Sequence, residues 1–142
     1  MIYSISQLQA LAASVGFPDP ALAAAIAMAE SSGNECAQGD PNIGMHMCSG
    51  PNGTSSSFGL WQVHAPAHPQ YNVNWLLTAD YNARAALEIS RAGQDFRPWS
   101  TFTSGKYRQF LEPYAPGGVG AGTIVAVGAF AFLVYVLAGG RV

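Results

Sequence analysis

The chain has 142 residues, room for one domain plus an appendage. Only 10% of residues are charged and the formal net charge is -2, against roughly 25% charged in an ordinary soluble domain. A mildly acidic chain without a basic cluster excludes nucleic-acid binding.

Ser4 and Gln7 form an S-x-x-Q capping pattern, and Ile5, Leu8, Leu11 and Ala12 recur behind it at helical spacing. A helix is predicted there, stopped by Gly16. Asp19-Pro20 predicts a restart, as N-cap and first helical residue. The Ala-rich run ALAAAIAMAE carries that helix to Ser32, with Gly33 as its stop. The opening residues lack a basic n-region and do not read as a signal peptide.

Residues 34–57 are dense in Gly, Pro, Asn and Ser and read as loop. Cys36 and Cys48 flank part of this stretch. A disulfide there implies an oxidising compartment. Two free thiols are a second option, and a metal site with His46, near Met45 and Met47, is a third. A structural zinc takes a full tetrahedral ligand set in recognisable pairs. No CxxC pair appears, so the disulfide is preferred and no metal is expected.

SSSFGLWQVHAPAHPQYN follows, an apolar segment broken by Pro66 and Pro69. Asp80 is placed to cap a helix through NARAALEISRAG that ends near Gly93. FRPWSTFTSGKYRQFL predicts a short helix at its end, stopped by Pro113. Pro116-Gly117-Gly118 then reads as a hinge, and no charge falls between Ala115 and Gly140. Crossing a bilayer takes about 20 apolar residues, and the run at 119–140 meets that length. A transmembrane helix is predicted for it, with Gly118, Gly122 and Gly128 suited to close helix packing. A buried core helix or a fusion-peptide-like tail is the rival reading.

Glu30 is the only acid in an otherwise apolar helix, in a last turn where the helix presents partial negative charge. That placing suits a general acid. A solvated carboxylate at a helix end is the alternative.

The surroundings of Glu30 bear on this choice. AIAMAESSGN (25–34), SFGLWQVHAPAHP (57–69), NARAALEI (82–89) and RPWSTFTSGKYRQFL (97–111) follow one another along the chain. Together they resemble the transglycosylase SLT group of the lysozyme-like superfamily, over roughly residues 21–111. The resemblance implies a mainly α fold and no cofactor. It implies that Glu30 is the single catalytic acid/base and that Ser31 helps orient groups in the cleft. Ser57, Gly59, Leu60 and Gln62 match an S-x-G-L-x-Q motif whose glutamine faces the sugars. Gln62 offers them both a donor and an acceptor. Trp61 stands where many members carry methionine. Trp61 and Trp99 are each read as sugar contacts or as core packing. Phe102 departs from the family, which often has tyrosine in a Y-N-x-G pattern. The ring is kept and a hydroxyl that would bond the carboxylate is lost, leaving Thr101, Thr103 or Ser104 to replace it.

Most glycosidases flank the scissile bond with two acids. Glu35, Asp40 and Asp80 are the candidates for a second one, Asp40 reading otherwise as a turn residue before Pro41. The resemblance implies that none is required. In lytic transglycosylation one glutamate protonates the leaving oxygen and then deprotonates the substrate's C6 hydroxyl, giving a 1,6-anhydromuramoyl end. Hydrolytic muramidase activity is the nearest alternative. A catalytically inactive structural protein of membrane or virion is an alternative of another class. HAPAH is interrupted by Pro66 and is no helical metal pair, so His46, His64 and His68 read as cleft or surface polar residues.

The expected organisation is a lysozyme-like domain at 1–114, a hinge at 115–118 and a membrane anchor at 119–140. Its partners would be peptidoglycan glycan strands, a lipid membrane through 119–140 and, in a phage, other virion proteins. Arg141 favours a cytoplasmic C-terminus by the positive-inside rule, whereas Lys106 and Arg108 pull the other way. A chain without an export signal whose substrate lies outside the membrane suggests delivery with a virion, for local wall opening during genome entry. Escape through a holin as a lysis enzyme and bacterial wall remodelling are the competing routes.

Overall fold

The computed structural model describes residues 1–39, 48, 50–51 and 55–111. Ser4 accepts from the Gln7 backbone N–H while the Gln7 side chain accepts from Ser4, which closes a capping box on α1 (Ile5–Val15). Gly16, at φ 103°, ends that helix in the left-handed conformation that costs a residue without Cβ least. Asp19 Oδ1 accepts from Leu22 N at 3.0 Å and Pro20 opens α2 (Pro20–Ser31). Ser32, with φ 54°, ends it one residue before the expected stop.

α1 lies on α2, and small side chains let the two backbones come close. Ala23, Ala24, Ala25, Ile26 and Ala27 are all fully buried, so α2 is hydrophobic on every side and runs through the centre of the domain. A two-stranded antiparallel hairpin follows, β1 (Ser57–Phe58) and β2 (Val63–His64), with Ser57 opposite His64. Two 3-10 turns, Ala65–Ala67 and Trp75–Leu77, lead to α3 (Ala79–Ile89). Short α4 (Ser100–Thr103) and a final 3-10 turn (Lys106–Phe110) close the described chain. Asp80 does not cap α3. Thr78 takes the cap position without a side-chain bond, and Asp80 in the first turn pairs with Arg84 at 2.8 Å. Pro113, the expected stop, lies outside the described residues.

The main core joins α1, α2 and α3 around Trp61, whose ring stacks on Phe17 at 5.8 Å. A smaller cluster of Phe58, Val63, Leu76, Leu77 and Ala85 sits under the hairpin. Each large apolar side chain so buried contributes about 1.5–3 kcal/mol. Cys36 and Cys48 are disulfide-bonded, twelve positions apart. A cross-link closing a loop of this length is worth about 3 kcal/mol.

The expectation of a membrane anchor is corrected. Among the described residues no helix is long and apolar enough to cross a membrane. α2, with 12 residues, is about 18 Å long, against a hydrocarbon core of about 30 Å. The segment that prompted the expectation, 119–140, lies outside the described residues, as do the expected hinge at 115–118, Asp40 and His46. Residues 1–110 form one structural unit of mainly helical character.

Candidate active site

Glu30 leaves the last turn of α2 half-buried. Next to it, Gly33 holds φ 77° and accepts from Tyr3 N at 2.8 Å, while Ile2 and Asn34 form a β-bridge. A Cβ on Gly33 would stand 2.1 Å from the Tyr3 carbonyl oxygen, so only glycine lets the N-terminal segment clamp the end of this helix. The Tyr3 phenol is pushed up by burial and by the neighbouring Glu35 carboxylate.

On the opposite side of the sequence, α4 brings Thr101 to the same carboxylate. Thr101 Oγ1 donates to Glu30 Oε1 at 2.6 Å, and Thr101 is 8% exposed. Of the three hydroxyls available to replace the missing tyrosine, Thr101 is the one in place. Glu30 Oε2 has no protein partner among the described residues.

What fixes α4 is a relay of buried bonds. Asn82, fully buried on α3, accepts from Trp61 N at 2.8 Å and donates to the carbonyls of Phe58 and Leu76 at 2.8 and 2.9 Å. Trp61 Nε1 donates to Ala23 O on α2 at 3.0 Å, and Trp99 Nε1 donates to Trp61 O at 2.6 Å. The turn after β1 passes so close that a Cβ on Gly59, at φ 79°, would lie 2.1 Å from Leu76 O. Helix α3, the hairpin turn, α2 and the start of α4 are thereby tied into one frame, and among the described residues every buried side-chain nitrogen and oxygen is paired.

Glu30, Ser57, Gln62, His64, His68 and Trp99 line a cleft of about 310 Å³. Gln62, with φ 47°, reaches the cleft, but its amide is engaged on the backbone. Nε2 donates to Ala37 O and Gly59 O at 3.0 and 2.9 Å, and Oε1 accepts from Gly39 N at 2.8 Å. It thus pins residues 37–39 as the floor of the site and keeps one acceptor lone pair for a ligand. Ser57 Oγ and His64 Nδ1 lie 3.3 Å apart. Trp99, 5% exposed, forms a wall.

Three residues singled out from the sequence stand away from the cleft lining. Trp61 is fully buried in the core. The Ser31 hydroxyl donates back to Ala27 O at 2.9 Å within the helix. Phe102 packs half-buried against Phe96 and Tyr107, at 6.0 and 5.2 Å. Asn82 opens the NARAALEI run, where sequence reasoning gives it no role. Its signal was a polar side chain on the buried stripe of Ala79, Ala83 and Ala86.

Among the described residues, every acid except Glu30 is engaged elsewhere. Asp19 caps α2, Glu35 holds the Met1 ammonium at 2.6 Å and Asp80 holds Arg84. Glu88 accepts from Tyr71 OH at 2.8 Å and Asp95 pairs with Arg97 at 2.7 Å. Glu30 is the sole carboxylate among the described lining residues, and no Lys or Arg stands with it. No group of His, Cys, Asp and Glu among the described residues could hold a metal ion.

A family model described as a lysozyme-like domain matches residues 9–101. No curated protein and no solved structure matches the chain.

Proposed function

The chain belongs to the lysozyme-like domain family, and from that membership we propose that it cleaves the β-1,4 bond between N-acetylmuramic acid and N-acetylglucosamine by lytic transglycosylation. The family implies a peptidoglycan substrate and a glycosidase. The finer reading rests on one observation: a single carboxylate, Glu30, stands among the described cleft residues, with Thr101 on its Oε1.

A lone carboxylate must act twice. Glu30 gives its proton to the glycosidic oxygen as the bond from the muramoyl C1 breaks, releasing the N-acetylglucosamine end with a free hydroxyl. The carboxylate then takes the proton of the muramoyl C6 hydroxyl as O6 closes on C1. The 1,6-anhydro ring forms without water, and Glu30 ends protonated as it began. Thr101 donates to one oxygen and leaves the other to carry the proton. Hydrolysis by the two-acid route asks for a second carboxylate near the bond, and Glu35 and Asp80 are both engaged away from the cleft.

Digestion of purified peptidoglycan by the chain, beside Glu30→Gln, tests this with products identified by mass spectrometry. Anhydromuramoyl ends that vanish in the variant are the expected result. Reducing muramic ends would replace the reading with hydrolysis. No cleavage of several wall types by the folded chain would overturn enzymatic function altogether.

The setting belongs to the same proposal: carriage in a phage particle and local wall opening at genome entry, to which a small disulfide-stapled domain is suited. Mass spectrometry of purified particles tests it, and consistent absence overturns that role.

A further inference from the structure

The H-A-P-A-H segment has no part in the chemistry above, yet both its histidines line the cleft. His64 ends β2, and the 3-10 turn Ala65–Ala67 with Pro66 inside it brings His68 back to the same cavity four residues later. Each ring is braced. His64 Nδ1 lies 3.3 Å from Ser57 Oγ on the paired strand. The His68 ring rests 6.2 Å from that of Tyr71, whose hydroxyl is bonded to Glu88 on α3 at 2.8 Å. That leaves His64 Nε2 and both nitrogens of His68 without a protein partner among the described residues.

Resting on the glycan-cleaving reading, we infer that His64 and His68 bind the peptide stem of the muramoyl residue, through its carboxylate. A glycan backbone of N-acetylated sugars carries no charge; its lactyl-linked peptide does. In this cleft the one charged group described is Glu30, which repels a second carboxylate. The imidazoles are the only lining groups described that can carry positive charge. A carboxylate entering beside Glu30 therefore finds at this pair the only described lining donors that can also carry positive charge. Strands that bear stems are selected over bare ones, and the stem fixes the register in which a muramoyl C1 meets Glu30.

The test is binding by the full chain carrying Glu30→Gln, so that strands are not consumed. The ligands are soluble uncrosslinked strands with stems and the same strands stripped of peptide by an amidase. Affinities are compared before and after His64→Ala with His68→Ala, and with the pair His64→Gln, His68→Gln, which keeps polar side chains should the alanine pair fail to fold. An interaction with a charged group of this kind carries roughly tenfold or more in affinity. The expected result is a loss of about tenfold for stem-bearing strands in either pair, with bare strands changed less than about twofold. Equal weakening for both strands, or unchanged binding to both, overturns the inference and leaves the glycan reading standing. Failure of the parent chain to bind either strand overturns both.

Discussion

Thr101 and Glu30, 71 positions apart in sequence, meet through a 2.6 Å hydrogen bond at the head of the cleft. Thr101→Val keeps the volume and removes the donor, so the carboxylate loses its orienting partner. We expect kcat to fall roughly tenfold, the worth of one hydrogen bond to a charged group, with KM little changed. Thr101→Ser restores most of it. Steady-state kinetics on peptidoglycan check this, and equal loss in both variants would reduce Thr101 to packing. On the proposed mechanism Glu30→Gln removes the general acid and should lower kcat by about 10²–10⁴.

Asn82→Leu fills the space but takes from Trp61 N–H and from the carbonyls of Phe58 and Leu76 their bonds to the Asn82 amide in the interior. Each unpaired buried group costs about 1–3 kcal/mol. Urea unfolding should show a loss of about 3 kcal/mol or more. An unchanged midpoint would mean that the turn is not held from α3.

Gly59→Ala meets two obstacles, a φ of 79° and a Cβ 2.1 Å from Leu76 O. A shift of the hairpin turn is unavoidable, and the floor of the cleft moves with Gln62. A stability loss of more than about 1 kcal/mol with a fall in activity is expected, read by thermal unfolding and by digestion of cell walls.

Cys36 and Cys48 staple the segment that Gln62 pins. Replacing both with Ser should lower stability by about 3 kcal/mol, seen as a lower denaturant midpoint. Reduction of the wild-type chain should give the same shift.

Asp95 and Tyr71 shape the response of stability to pH at its acid and alkaline ends. Arg97 holds the Asp95 carboxyl well below the ordinary value of 3.8, chiefly by side-chain hydrogen bonding. The folded state then binds fewer protons than the unfolded one in acid. That contribution is present above the ordinary carboxylate range and is lost as pH falls through it. Asp95→Asn should flatten the acid limb of the stability profile. At the other end, burial first and the Glu88 carboxylate second push the Tyr71 phenol up from 10.0 to about 12. The unfolded chain ionises it first, so its contribution holds below pH 10.0 and is lost as pH rises towards about 12. A phenolate absorbance titration should show a late-ionising component that is smaller by one tyrosine in Tyr71→Phe.

Where a feature was written in adjacent residues, it was legible in the sequence. The Ser4–Gln7 box, Asp19-Pro20 and the Glu30 helix are all settled within one or two turns of chain. Features settled by distant contacts were not. Gln62 has the chemistry to hold a sugar, but its amide is taken up by backbone groups of Ala37, Gly39 and Gly59, and no local pattern reveals the path of the 37–39 loop. Trp61 and Trp99 look alike in composition, and only the packing around Phe17 decides that one is wholly interior and the other a wall. Asp80 was read as a cap because it precedes the helical run, whereas α3 starts two residues earlier, at the buried Ala79 with Thr78 as its cap.

The three tryptophans occupy three different environments, which gives the protein a built-in optical assay. Trp75 is 60% exposed, Trp61 is fully buried and Trp99 sits between them at the cleft wall. A collisional quencher added to the native chain reaches Trp75 first. With Trp75→Phe the remaining emission comes from the core and the wall alone. A glycan entering the cleft would then report itself as a change in Trp99 fluorescence, so occupancy can be followed in real time without a label or a turnover event.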